Sequence, residues 1–238
     1  MEYDNGTFIM YGVSRDDPRC IHTPRELIDT VNELGFLPLF RGSLPGFSVE
    51  ERTESRYWWT DDARDPWMWR QILAAGGEVA YGKFFDKKAG FISKAWLPYF
   101  ANARRDGYDF DARWDDEKAS VRQKKLMDIF PEGTERFSYE AKQMAGFGKD
   151  GERNFEGTIT ELQMQTYLAI RDFRQRRNRR GEPYGWAIAV YAAPETIFGR
   201  ELVTSAYGEA PETSRQRILD RLRQLCPDAR EKELKKYL

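Results

Sequence analysis

Apolar positions switch between two periods along this chain, and the switches predict its elements. Residues 23–34 place Leu27, Ile28, Val31 and Leu34 on one helical face. Thr23, Pro24 and Glu26 supply an N-cap, a first-turn proline and a capping-box acid, and Gly35 supplies the stop. A long connection over 36–65 carries Phe47, Tyr57, Trp58 and Trp59, so it should pack on the body. Asp65 and Pro66 repeat the cap-plus-proline signature and open a helix over 66–75. Residues 78–85 alternate as a strand, 86–90 turn and 91–93 return, which makes a hairpin. A helix over 96–105 follows.

Residues 108–118 are acidic and give the best domain boundary, dividing a first unit at 1–118 from a second at 119–238. Ser120 and Gln123 cap a helix bearing Leu126, Ile129 and Phe130. A second short helix spans 139–145 and a third spans 155–165, with Glu156, Thr160, Gln163 and Thr166 on its expected exposed face. Two strands, 167–175 and 184–192, enclose an arginine-rich tip. Helix, helix, loop, helix, strand, hairpin tip, strand is the winged-helix order. The fold class read here is α+β, with a winged-helix module in the second half followed by an amphipathic helix over 213–225. The helix-hairpin-helix layout of the first half reads as a degenerate second copy.

Composition narrows the function. The net charge is −1, so nucleic-acid affinity would have to come from a local patch. That patch is residues 171–180, which hold six arginines, Arg171, Arg174, Arg176, Arg177, Arg179 and Arg180, against one acid. Guanidinium groups fork onto phosphate oxygens, and a hairpin tip can enter a groove without disturbing a core. Lys149 and Arg153 lie just before the third helix and are placed to hold the nucleic-acid backbone beside it. The alternative is a solvated turn that protects a sheet edge. Duplex DNA is the expected partner.

Two cysteines, Cys20 and Cys226, are too few for a disulfide framework, and the sole histidine, His22, excludes a multi-histidine metal site. Neither a metal nor another cofactor is expected. With no signal-peptide pattern and no apolar run of membrane-spanning length, a cytoplasmic protein without membrane contact is expected. The oligomeric state is not legible.

The strings Leu34-Gly35-Phe36-Leu37-Pro38-Leu39-Phe40, Pro45-Gly46-Phe47-Ser48-Val49-Glu50-Glu51-Arg52, Ala80-Tyr81-Gly82-Lys83-Phe84-Phe85 and Asn154-Phe155-Glu156-Gly157-Thr158-Ile159-Thr160, with Leu162-Gln163-Met164-Gln165 after them, resemble a small AlkZ-related branch. This branch is akin to the AlkZ and YcaQ DNA glycosylases. The resemblance implies tandem winged helices acting on alkylated or crosslinked DNA. It also implies that Gln163 and Gln165 match a Gln-apolar-Gln motif associated with base excision, where the amides would position water near the sugar C1′. Read from the residues alone, the two glutamines are ordinary polar groups ending a helix. Residues i and i+2 share a face only on a strand, and the pair lies at the helix-to-strand junction.

The expected function is therefore DNA binding, with base excision as the enzymatic extension. The alternative is a regulator or adaptor without chemistry. A metal nuclease built on Asp109, Asp111, Asp115, Asp116 and Glu117 is a third reading, against which stands helix capping by the same carboxylates. Trp58, Trp59, Trp67, Trp69 and Trp96 are candidates for a base-stacking pocket or for core.

Overall fold

The computed structural model describes residues 2–4 and 7–238. Strands β1 (Glu2–Asp4) and β2 (Thr7–Ile9) pair antiparallel as a small separate ribbon. Helix α1 (Pro24–Leu34) starts where the Thr23 hydroxyl accepts the Glu26 amide at 3.2 Å, and buries Leu27, Ile28, Val31 and Leu34. Next comes β3 (Phe36–Pro38), three residues long and wholly buried. Helix α2 (Pro66–Gly76) is capped by Asp65, whose carboxylate accepts the Trp67 amide at 2.8 Å. Strands β4 (Val79–Phe85) and β5 (Lys88–Ser93) form a hairpin, and α3 (Leu97–Arg105) follows.

The acidic stretch at 108–118 contains a helix, α4 (Phe110–Asp115). Asp109 caps it by accepting the Ala112 amide at 2.9 Å. Helix α5 (Val121–Met127) opens with the full capping box of Ser120 and Gln123. After it come β6 (Glu135–Phe137), α6 (Ser138–Met144), α7 (Phe155–Met164), β7 (Ala169–Arg177) and β8 (Pro183–Ala192). The chain ends with α8 (Pro194–Phe198), α9 (Arg200–Val203), α10 (Pro211–Leu225) and α11 (Glu231–Leu234). Among the described residues no helix is long and apolar enough to cross a membrane.

The six-stranded sheet has the order β3-β5-β4-β7-β8-β6, and every recorded pairing is antiparallel. An α+β fold results, with one sheet running through both halves of the chain. The two halves repeat one plan. In each, a short strand (β3 or β6) pairs with the second arm of a hairpin (β5 or β8), and the first arms, β4 and β7, meet antiparallel with Tyr81 opposite Ile170. A sheet edge exposes unpaired backbone groups, and joining the two first arms removes one edge from each half.

The helix preceding each hairpin crosses to the other half: α2 packs on β7, and α7 packs on β4. Polar ties fix both crossings. The Arg171 guanidinium donates to the Ala74 and Ala75 carbonyls at the end of α2, at 3.2 and 2.8 Å. The Gln163 amide oxygen on α7 accepts the Lys83 amide of β4 at 3.0 Å. Arg70 of α2 lies 3.4 Å over the Trp67 ring and 4.7 Å over Phe173 of β7, adding a cation–π bridge across the same joint. Farther along, buried Arg105 donates to the Thr166 carbonyl at 2.6 Å and pairs with Glu195. Burial opposes the charge on Arg105, but Glu195 and Tyr207 outweigh it and hold the guanidinium above its ordinary range. That clamp grips Thr166 in a left-handed conformation (φ 62°), which is costly for a β-branched residue.

Candidate nucleic-acid interface

Strands β7 and β8 leave the sheet as a projecting ribbon. Ala169 and Ile170 are buried at its root, whereas residues 174–187 are all exposed. At the usual strand rise the exposed part of β7 alone reaches roughly 13 Å into solvent. Its turn is held by Asn178, whose backbone pairs with Glu182 and Gly181 and whose side-chain oxygen accepts the amides of Arg180 and Glu182 at 2.9 and 3.1 Å.

The six arginines separate into two sets. Arg171 and Arg174 at the inner end are engaged by carboxylates: Arg174 lies 2.8 Å from Glu135 and 2.5 Å from Asp172, and Arg171 lies 3.4 Å from Glu135. The outer four have no carboxylate partner among the described residues. Arg176 lies 4.3 Å over the Tyr139 ring, which stacks on Phe137 with centroids 5.4 Å apart. Arg177 donates to the Gly181 carbonyl at 2.7 Å, while the guanidinium groups of Arg179 and Arg180 have no partner among the described residues. Free cationic charge is therefore concentrated toward the end of the ribbon.

Beside the ribbon, Tyr139 also borders a shallow groove of about 430 Å³ that includes Lys142, Gly146, Gly148 and Gly151. Lys149, from the same loop, and Arg153 just after it are exposed and make no ion pair among the described residues. Neighbouring Glu152 is occupied by Lys125 at 2.7 Å and Arg122 at 3.4 Å.

The expected recognition face of α7 needs correction. Thr160 and Gln163 are buried, at 7% and 0% exposure, because β4 of the first half covers that face, and Thr166, past the end of α7, is buried at 0% beside Arg105. What α7 shows to solvent is Glu156 and Glu161, both carboxylates that repel phosphate. Within α7, Thr158 donates its hydroxyl to the Asn154 carbonyl at 2.9 Å.

The two glutamines have different surroundings. Gln163 donates to the Ile159 carbonyl at 3.1 Å while accepting from Lys83, so its amide is satisfied and sealed. Gln165 is half-buried, one residue past the end of α7, and accepts from the Gln123 amide at 3.3 Å. They are not brought to one open surface.

A family model for AlkZ-related proteins matches residues 21–238. The chain belongs to the AlkZ-related family. No curated protein and no solved structure matches it.

The remaining candidates in this AlkZ-related chain are scattered. Trp69 and Trp58 are core residues, with their indole N–H groups donating to the Ala63 carbonyl and the Thr53 hydroxyl. Trp67 and Trp96 are half-buried and Trp59 is 47% exposed, so the five tryptophans do not form one stacking pocket. Among the described residues no three His, Cys, Asp or Glu side chains converge as a metal set. Asp109 caps α4 and Asp116 accepts the Tyr108 hydroxyl at 2.8 Å. A cavity of about 320 Å³ near the root of β8 is lined by Asp109, Asp128, Glu132, Glu195 and Arg105, and its carboxylates would turn phosphate away. Cys20 lies 3.8 Å from His22, but burial pushes the thiol up, away from the nucleophilic thiolate.

One exposed residue near the tip had no sequence signal as a site. Trp186 is 88% exposed, the most exposed of the large apolar residues described.

Proposed function

We propose that this AlkZ-related protein binds duplex DNA through its arginine ribbon, within a DNA-repair-related role, and does so on a tandem pair of winged-helix units. The observation that carries the reading is that Arg176, Arg177, Arg179 and Arg180, at the end of a projecting ribbon, form no ion pair with any carboxylate among the described residues. A self-contained solvated turn would be expected to pair its arginines locally, as Arg171 and Arg174 do. Phosphates along a groove would instead meet an unneutralised cationic edge. The winged-helix reading draws on the repeated strand order, in which the basic ribbon occupies the place of the wing. The helix in the recognition position is covered, so contact falls to the wing, with Lys149, Arg153 and Lys142 holding the backbone beside it.

On this reading Gln163 serves the fold. Its sealed amide favours binding without excision by the Gln163–Gln165 pair, because an amide at 0% exposure, bonded to Lys83 and Ile159, faces no surface where a substrate and its water could meet it. The test is fluorescence anisotropy at low salt on a labelled duplex, comparing wild type with the combined Arg176→Ala, Arg177→Ala, Arg179→Ala, Arg180→Ala variant. The four positions are exposed, so the variant should keep its fold by circular dichroism yet lose at least tenfold in affinity. Equal affinity would sink the proposal. A glycosylase assay on alkylated duplex covers the enzymatic extension: product that requires Gln163 in a stably folded variant would restore the excision reading.

A further inference from the structure

Trp186 departs from what strand chemistry asks of an exposed position, because a large indole held in water forgoes the burial that normally retains it. The backbone is built to hold it there. On one side of it Arg174 pairs with Ile188, and on the other Arg176 pairs with Tyr184. Two steps along β7 therefore match four along β8, and the surplus residues form a bulge around Trp186. Gly185 enters that bulge with φ at 73°, the left-handed region that favours glycine, and a Cβ there would meet nothing within 4 Å. The glycine is thus required by the backbone turn, not by crowding. The Gln175 side chain then donates to the Gly185 carbonyl at 2.7 Å, pinning the bulge. Bulges re-aim side chains, and this one aims an indole off the ribbon.

The surroundings select the occupant. Tyr184, 48% exposed, stands opposite Arg176, and Arg177, Arg179 and Arg180 follow around the tip without carboxylate partners. The one acid of the tip, Glu182, bonds to Asn178, and an apolar protein surface has no use for four arginines that no carboxylate pairs with among the described residues. A polyanion that also presents flat π-faces matches both features, and DNA presents such faces where its stacking is interrupted. We propose that Trp186 stacks on a nucleobase at an interrupted step of DNA, so that the ribbon favours a duplex with an unpaired or missing base over a continuous one. The proposal rests on the DNA-binding reading above, and the arginines and the indole divide the work between phosphate and base.

The test compares wild type, Trp186→Ala and Trp186→Phe on two labelled duplexes of equal length, one continuous and one with a single abasic site. Wild type should bind the interrupted duplex roughly 5- to 150-fold more tightly, the span of one base–aromatic stack. The ratio should fall to near one in Trp186→Ala and be retained in large part by Trp186→Phe. Equal ratios in wild type and Trp186→Ala, or no preference in wild type, overturn the inference while leaving phosphate binding by the arginines standing. Failure of wild type to bind either duplex overturns the DNA reading itself. Sedimentation of both proteins supplies the remaining arm: self-association abolished by Trp186→Ala, with the ratio unmoved, would assign the indole to a second copy of this chain.

Discussion

Replacing Gln163 by alanine separates a structural glutamine from a catalytic one. The side chain is 0% exposed and joins α7 of one half to β4 of the other. Truncation leaves the Lys83 amide without an acceptor, which costs about 1–3 kcal/mol for a buried donor. The Ile159 carbonyl loses only its side-chain donor. Loss of one buried methylene adds about 0.8 kcal/mol. The sum is about 2–4 kcal/mol, which for a chain of this size lowers the melting temperature by something on the order of 10 °C. Urea denaturation with a thermal scan reads it, and Gln165→Ala is the internal comparison. Half-buried and holding one bond to Gln123, Gln165 should cost about 1 kcal/mol or less. A loss below about 1 kcal/mol for Gln163→Ala would refute the reasoning, since it would mean the amide is not needed to join the halves.

Two further perturbations follow from the charges. Glu135→Ala should tighten duplex binding at low salt, because it removes a negative charge from the inner end of the ribbon while Arg174 keeps Asp172 and Arg171 keeps the Ala74 and Ala75 carbonyls, and anisotropy reads the change; a weaker complex would contradict the charge assignment. Glu50 is 3% exposed and accepts the amides of Tyr11 and Arg41, and burial raises its carboxyl above the ordinary 4.5. A raised folded value means the native state holds the proton to higher pH than the unfolded chain, so this residue's contribution falls as pH rises through that window. Denaturation across pH 4–8 should show Glu50→Gln losing that part of the slope.

Helix starts were legible in the sequence because their causes are local. Thr23, Asp65, Ser120 and Asp109 each cap a helix through an amide two or three residues on, and three of these signatures stood out in the chain; Asp109 lay inside an acidic run that reads equally well as a linker. Strands β3 and β6 were not legible. Three residues cannot display a period, and each exists only because a distant hairpin arm pairs with it. The face of α7 was misread for a related reason: helical periodicity assumes one burying partner, whereas α7 lies between its own half and β4. The arginines announced themselves by charge, but their division into paired and free sets depends on Glu135, 36 positions before Arg171. Trp186 gave no signal, because its exposure follows from a register shift that composition does not encode.

The salt dependence of duplex binding tests the central claim most directly. Four phosphate contacts by Arg176, Arg177, Arg179 and Arg180 give a slope of about −3.6 in log affinity against log salt, whatever the base sequence. Wild type should show a slope at least that steep, and the four-alanine variant should be shallower by about that amount. Equal slopes in the two proteins would contradict the account, because the phosphates would then be held elsewhere on the molecule.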